Sequence, residues 1–198
     1  MEPARPDEPT RTALLRRLHG DPDAEAWNEF CTRYSELVTN YCRRTGLGAD
    51  DCQELFQEVF FALFQRLPRF RYDRSRGRFR AYLWRVVHNQ AMAIRRRRGR
   101  RREVGGTAWV EGQASADHPD AIWEEEWRKH HLRRAVERLR RELPSRHYEV
   151  FRLSAYERLT AAEIAQRCGT SVQMVYKLRS QAMERLRTLV RRQIEEEG

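Results

Sequence analysis

Cysteine is scarce in this sequence, and its spacing does not suggest a metal or redox centre. The chain has four cysteines, none in a C-x-x-C pair and all among apolar helical positions: Cys31, Cys42, Cys52 and Cys168. We therefore expect reduced thiols in or near the core, as in proteins of the cytoplasm, and no metal ion or other cofactor.

Long apolar runs and strand patterns are also missing. No run approaches the ~18 apolar residues of a membrane-spanning helix, and Met1 is followed by prolines and charges, unlike a signal peptide. Alternating stretches are short, and no Asn-Gly or Asp-Gly hairpin turn occurs. These absences predict an all-α protein of the cytoplasm with no membrane partner.

Positive charge, by contrast, is abundant. Lysines and arginines number 39 against 29 acidic residues, which gives a formal net charge of +10. Clustered arginines favour a polyanionic partner because they release counterions from phosphates. A generally basic, soluble surface is the alternative, so the positions of the charges must decide.

Helical periodicity marks a first block at residues 12–102, after a proline-rich tail at 1–11 that we expect to be disordered. Apolar residues recur there at steps of three and four, which predicts a bundle of amphipathic helices. Asp21 and Asp50 are the predicted N-caps of two long helices, and a third begins near Arg78.

A second helical block is predicted at residues 121–198, beyond a stretch at 103–120 with the composition of a flexible linker. It contains a capping box at Thr160–Glu163, a turn at Gly169 and a last helix capped by Ser171. This pattern is typical of a helix-turn-helix without a wing, and an ordinary helical hairpin is the alternative. The fold class is therefore two small helical domains.

The last helix carries residues suited to DNA grooves, where base edges and phosphates are read. Arg179 falls on the inward apolar stripe with Val175, so it must extend outward or contact the DNA backbone. The outward residues Gln173, Tyr176, Lys177 and Ser180 of this helix can reach base edges and phosphates.

Aromatic residues and arginines cluster in the first block. Phe70 and Tyr72 lie in an arginine-rich loop, and a further arginine run spans residues 95–102. Aromatic rings that stack on unpaired bases, beside arginines that hold the backbone, suit a single strand. Core packing is the alternative for each ring.

An acidic strip on one helix of this basic chain includes Asp51, Glu54, Gln57 and Glu58. A solvated surface is one interpretation, and a face for a basic protein partner is the other, because acid would repel DNA. Metal binding by Glu54 and Glu58 is discounted because no histidine or further carboxylate completes the shell.

Taken in order, these motifs resemble those of an extracytoplasmic-function (group IV) sigma factor of the sigma-seventy superfamily, over about Leu14 to Arg192. The resemblance rests on Glu54-Leu-Phe-Gln-Glu-Val-Phe60, on Phe79-Arg-Ala-Tyr-Leu-Trp-Arg-Val-Val-His-Asn89 and on the helix-turn-helix. It implies a non-enzymatic subunit that directs core RNA polymerase to promoters and opens the DNA in transcription initiation. A stand-alone helix-turn-helix regulator is the alternative, and a metal-dependent nuclease is a more distant one.

The resemblance also implies roles for particular residues. Region 2, residues 12–102, would bind the clamp helices of the largest polymerase subunit through Asp51, Glu54, Gln57, Glu58 and Phe60. The same region would hold the melted minus-ten element through Phe70, Arg71, Tyr72, Arg74, Arg76, Arg78, Tyr82, Trp84, Arg85, His88, Asn89, Arg95 and Arg96.

Region 4, residues 121–198, would contact the flap of the second polymerase subunit and read the minus-thirty-five element. The residues that would contact this element are Ser171, Gln173, Met174, Tyr176, Lys177, Arg179 and Ser180. An anti-sigma factor is a further candidate partner. The sequence departs from the family pattern at Glu54, where aspartate is common, and at Tyr82-Leu-Trp84, which reverses the usual order of the two aromatic residues. These departures bear on the minus-ten preference more than on the function.

Overall fold

A computed structural model describes residues 11–20, 23–69, 79–105 and 118–197. Their regular structure is helical, with no strand in any of these ranges, which confirms the predicted all-α class. The helices are α1 (Arg11–Arg17), α2 (Ala24–Arg44), α3 (Ala49–Arg66), a 3-10 turn (Leu67–Arg69), α4 (Phe79–Gly105), α5 (Pro119–Glu142), α6 (Ser145–Ala155), α7 (Ala161–Arg167) and α8 (Val172–Glu197).

Two compact units divide the chain, and the boundary between them lies inside α5. The first unit runs to Arg128 and the second comprises Lys129–Glu195. This differs from the predicted boundary in the linker at 103–120, most of which lies outside the described residues. The difference arises because the first three turns of α5 bury their apolar side chains in the core of the first unit.

Two tryptophans of α5 account for this packing. Trp123 is fully buried and meets the ring of Tyr41 edge-on, with centroids 5.6 Å apart. Trp127 stacks on Tyr34 at 6.4 Å. Arg44 adds ion pairs from α2 to the adjacent glutamates of α5, at 2.6 and 3.0 Å. Burial of two large aromatic rings makes the start of α5 a structural part of the first unit.

The starts of α2 and α3 correct two predicted caps. Asp23, not Asp21, caps α2, and its side chain accepts a hydrogen bond from the backbone N–H of Ala26. Gly48 precedes α3 without a side-chain cap, so Asp50 lies in the first turn. A carboxylate in that turn still interacts favourably with the helix dipole. The sequence thus located both helices but misplaced their caps by two residues.

The cysteines also depart from prediction, since Cys42 and Cys52 are joined by a disulfide. It links the last turn of α2 to the first turn of α3, where the helices bring the two Cα atoms within 5.6 Å. Cys31 and Cys168 are free thiols, as expected. Burial raises the pKa of Cys31 to about 11, so its thiol stays protonated at neutral pH.

The helix-turn-helix of the second unit follows the predicted local signals. The Thr160 backbone N–H donates to the Glu163 carboxylate at 2.7 Å, and the Glu163 N–H donates to the Thr160 hydroxyl at 3.3 Å. Gly169 ends α7 with a φ of +57°, and the Ser171 hydroxyl accepts from the Met174 N–H at 3.1 Å. The capping box, the glycine turn and the serine cap are therefore confirmed.

Arg158, in the turn between α6 and α7, has a φ of +55° that favours glycine. Arg158→Gly is expected to raise the free energy of unfolding by about 0.5–1 kcal/mol, because relief of the left-handed strain exceeds the added chain entropy. Urea unfolding of the full chain measures this difference. Arg158→Ala is the matched control and should bring no gain, so equal stabilities of the two variants would contradict the prediction.

Candidate protein and nucleic-acid interfaces

One face of α3 presents acidic and apolar side chains together. Glu54, Gln57, Phe61 and Phe64 are exposed along it, and Glu58 is half-buried. Their steps of three and four residues place them on one stripe of the helix. This stripe carries negative charge and aromatic surface side by side, which suits a partner that is both basic and apolar.

Two residues of the predicted polymerase-binding set are not on that stripe. Asp51 is only 2 % exposed and forms an ion pair with Arg98. Phe60 is 5 % exposed and packs against Phe30 and Phe56, at centroid distances of 6.3 and 4.5 Å. Both were predicted as surface contacts, and the helical packing instead turns them into the first unit.

Phe61 and Phe64 were missed by the sequence interpretation. Phe61 is 61 % and Phe64 is 48 % exposed, and they border a groove of about 680 Å³. The ring of Trp27 lies edge-on to Phe64 at 5.1 Å. The sequence did contain a signal for their exposure, namely the width of the apolar stripe on α3. One face of a helix cannot bury Phe60, Phe61 and Phe64 together, so some of these rings must be exposed.

The arginine run on α4 is partly held against the bundle. Arg95 donates to the Thr45 carbonyl, Arg97 lies 2.7 Å from Glu54, and Arg98 pairs with Asp51. Arg96 is exposed. The run is therefore not one uniform basic patch, because several of its charges already face carboxylates or a carbonyl of this chain.

The other candidate residues on α4 divide between an exposed face and a packed face. Arg85 and Asn89 are exposed with Arg96. Trp84 and His88 pack together at a centroid distance of 4.0 Å, and the Tyr41 hydroxyl lies 3.3 Å from Nδ1 of His88. The exposed face is available to a ligand, whereas Trp84 and His88 on the packed face already contact Tyr41 of α2.

Burial perturbs two titratable groups on this helix. Tyr82 is half-buried beside Phe79, at a ring distance of 6.0 Å, and burial raises the pKa of its hydroxyl. Burial also lowers the pKa of His88, with Arg95 and His118 adding to the effect and Asp120 opposing it. His88 is therefore neutral at pH 7 and contributes no charge toward phosphate.

The loop residues predicted to hold a melted strand lie outside the described part of the chain. They are Phe70, Arg71, Tyr72, Arg74, Arg76 and Arg78. The structure describes the chain on either side of them, namely the end of α3 with its 3-10 turn and the start of α4.

On α8 the predicted groove-facing residues are exposed, namely Gln173, Met174, Tyr176, Lys177 and Ser180. Val175 and Leu178 are buried in the helix-turn-helix core. Arg179 is exposed and not inward as predicted, because Leu178 takes the core position between Val175 and Ala182. Arg179 therefore reaches solvent without the extended path expected for it.

None of the helices in the described ranges combines the length and the apolar character that a membrane span requires. Among the same residues, no group of three or more histidine, cysteine, aspartate or glutamate side chains is arranged to hold a metal ion.

Comparison with known families finds two matches that together cover more than half of the chain. A family model described as Sigma-70 region 2 matches residues 30–102, and one described as Sigma-70, region 4 matches residues 133–186. The first spans α2 to α4, and the second spans the helix-turn-helix with the end of α5.

Individual relatives are more distant. The ECF RNA polymerase sigma factor SigE of Mycolicibacterium smegmatis is 28 % identical over 100 residues, which is 50 % of this chain and 37 % of that protein. The match thus spans little more than a third of that relative. A solved structure titled CnrH in complex with the cytosolic domain of CnrY is 21 % identical, with a TM-score of 0.36, and covers 89 % of this chain and 94 % of the matched chain.

Proposed function

Because this chain belongs to the sigma-70 family, as an extracytoplasmic-function sigma factor of transcription initiation, we propose that it binds core RNA polymerase, directs it to a class of promoters and melts the DNA there. Members of this family are not enzymes in their own right. The observation that carries the proposal is the acidic and aromatic face of α3, exposed in a chain whose net charge is +10.

The α3 face is the proposed polymerase contact. Gln57 and Glu58 supply a polar and a charged group, and Phe61 and Phe64 supply apolar anchors. Glu54 adds a carboxylate that also pairs with Arg97 at 2.7 Å. A basic helical partner such as the clamp helices of the largest subunit complements both features. Asp51 and Phe60 support this face from within, because both are buried. The flap of the second subunit is the proposed partner of the second unit.

The loop at 70–78 and the exposed face of α4 are the proposed site for the melted minus-ten strand. Arg85 and Arg96 would hold phosphates while Asn89 and the loop would hold a flipped base. Flipping costs a few kcal/mol, which stacking of about 1–3 kcal/mol per base offsets. Tyr82, Trp84, His88 and Arg95 would position this site, since each is half-buried against neighbouring side chains or backbone.

The start of α8 is the proposed reader of the minus-thirty-five element. Gln173, Tyr176, Lys177 and Ser180 share one exposed face at helical spacing, with Met174 and Arg179 beside it. Ser171 ends the turn and caps the helix through the Met174 N–H. Gln173 can pair with an adenine edge, and Lys177 can reach guanine or phosphate.

A charge reversal on α3 tests the polymerase contact. Glu58→Lys is expected to weaken binding to purified core RNA polymerase by about tenfold or more, because it opposes a basic partner surface. Glu25→Lys, the same change at an exposed site at the start of α2 and outside the proposed contact, should bind like the wild type. A pull-down with core polymerase measures both, and equal binding by the two variants would remove α3 from the interface.

Transcription from a fragmented genomic library completes this test. The wild-type protein with core polymerase should produce new start sites that share upstream elements, and these sites define its promoters. A wild-type protein that neither binds polymerase nor creates start sites, yet binds duplex DNA alone, would overturn the proposal in favour of a stand-alone helix-turn-helix regulator.

A further inference from the structure

The geometry points to Arg146 of α6 as a positioning residue for promoter discrimination. We infer that its guanidinium fastens the turn of the helix-turn-helix and so sets where α8 enters the DNA groove. This inference rests on the proposed function of α8. It concerns a residue that the sequence interpretation did not single out, because Arg146 lies outside the turn and outside α8.

Arg146 contacts backbone at the end of α7. One guanidinium nitrogen, Nη2, donates to the carbonyl oxygens of Cys168 and Gly169, at 3.1 and 2.9 Å. Carbonyls at the end of a helix have no partner within that helix, so a side-chain donor from elsewhere can satisfy them. With only seven residues, α7 has little internal hydrogen bonding, and contacts at its end matter correspondingly more.

Local bonds then carry this constraint into α8. Gly169 takes a left-handed conformation, and the Thr170 N–H donates to the Ala165 carbonyl at 2.9 Å. Ser171 follows and caps the first turn of α8 at Met174. Between the carbonyls held by Arg146 and the first turn of α8 the chain has little freedom, so a displaced turn would displace the recognition residues.

A neighbouring ion-pair chain holds α7 to α6 at a second point. In α6, Nη2 of Arg152 lies 2.8 Å from Oε1 of Glu149, and Nη1 lies 2.7 Å from Oε1 of Glu157. Glu157 in turn lies 2.9 Å from Arg167 at the end of α7. These ion pairs and the apolar core do not involve Arg146, so we expect the helix-turn-helix to stay folded when Arg146 is replaced. Loss of Arg146 should therefore shift the turn without unfolding the unit.

The exact position of α8 in the groove matters more for recognition of particular bases than for general affinity for DNA. Hydrogen bonds to base edges need a fixed register, whereas attraction to phosphates tolerates displacement. The Arg146 guanidinium keeps its positive charge, but its Nη2 already donates to two carbonyls, so we infer that it does not contact a phosphate directly. Its removal should lower the preference for promoter DNA and leave the salt dependence of binding unchanged.

The experiment compares two duplexes bound by core RNA polymerase with the full-length protein. One duplex is a promoter mapped by the library transcription, and the other has its minus-thirty-five element scrambled. Arg146→Ala is expected to lower the affinity ratio of the two duplexes about tenfold, the equivalent of one lost base contact. Arg146→Lys should restore part of the ratio, because an ammonium can still donate to one carbonyl.

Two variants serve as comparators. Arg140→Ala, at an exposed site on α5, removes the same charge and should leave the affinity ratio unchanged. Lys177→Ala should lower the slope of log affinity against log salt by about one on both duplexes, as removal of a phosphate contact does. An unchanged ratio in Arg146→Ala overturns the inference. A slope lowered by about one on both duplexes also overturns it, because Arg146 would then contact phosphate directly.

Amide hydrogen exchange tests the fastening without DNA. Arg146→Ala is expected to speed exchange of the Thr170 N–H by about tenfold, as loss of a net hydrogen bond implies. Unchanged exchange overturns the inference. If the wild-type complex fails to distinguish the two duplexes, the proposed function of α8 fails, and the exchange result still decides whether Arg146 holds the turn.

Discussion

Trp123→Ala is expected to lower the free energy of unfolding of the first unit by about 3–5 kcal/mol. Trp123 is fully buried, and its ring meets both Tyr41 and Trp127, at 5.6 and 5.7 Å. Alanine leaves a large cavity that a helical bundle closes only in part. The effect should fall on the first unit although Trp123 lies beyond the region 2 match at residues 30–102.

Urea unfolding measured by circular dichroism gives the size of this effect, and hydrogen exchange at amides of α2 and α4 locates it. Leu132→Ala is the control on the same helix, because Leu132 is exposed and should cost well under 1 kcal/mol. A loss of similar size in the two variants, or unchanged exchange in α2 and α4, would show that α5 does not contribute to the core of the first unit.

Phe61→Ala combined with Phe64→Ala is expected to weaken binding to core RNA polymerase by about 30-fold or more. Aromatic anchors in a desolvated interface commonly contribute 2 kcal/mol or more each, and losses at neighbouring anchors do not simply add. Both rings are exposed in the free chain, so the double variant should fold normally. This separates a binding defect from a folding defect.

A titration of fluorescently labelled protein with core polymerase measures the dissociation constant. Asn28→Ala removes an exposed side chain of the same unit, on α2 and outside the proposed contact, and controls for general loss of exposed surface. Unfolding curves for all variants should coincide within about 1 kcal/mol. Normal affinity of the double variant would mean that the acidic groups alone hold the polymerase, or that another surface does.

Local chemistry accounts for what could be predicted from sequence. Apolar residues spaced three and four positions apart predicted the long helices, because this period is a property of the helical backbone. The Thr160–Glu163 box, Gly169 and Ser171 identified the helix-turn-helix turn, since each acts on N–H groups or dihedral angles within a few residues. The same periodicity correctly placed Gln173, Tyr176, Lys177 and Ser180 on the exposed face of α8, but it placed Arg179 inward.

Predictions that depended on which element covers a helix face were the ones that changed. Phe60 and Phe61 are adjacent in sequence, yet one is core and the other exposed, because α2 covers only one side of α3. Asp51 was predicted to lie on the surface, but it is buried and forms an ion pair with Arg98 in the arginine run of α4. Arg179 was predicted to face inward, but the adjacent Leu178 is the buried residue. The reason is similar, because a small rotation of the packed face of α8 decides which of two neighbours is buried.

By itself the sequence determined that this protein is helical, basic and built around a helix-turn-helix, because those properties follow from composition, period and short-range capping. Only the tertiary structure decided that α5 begins inside the first core, that Cys42 meets Cys52, and that Phe61 and Phe64 remain uncovered. The physical reason is that a helical repeat defines the face of a helix but not the element that packs against it.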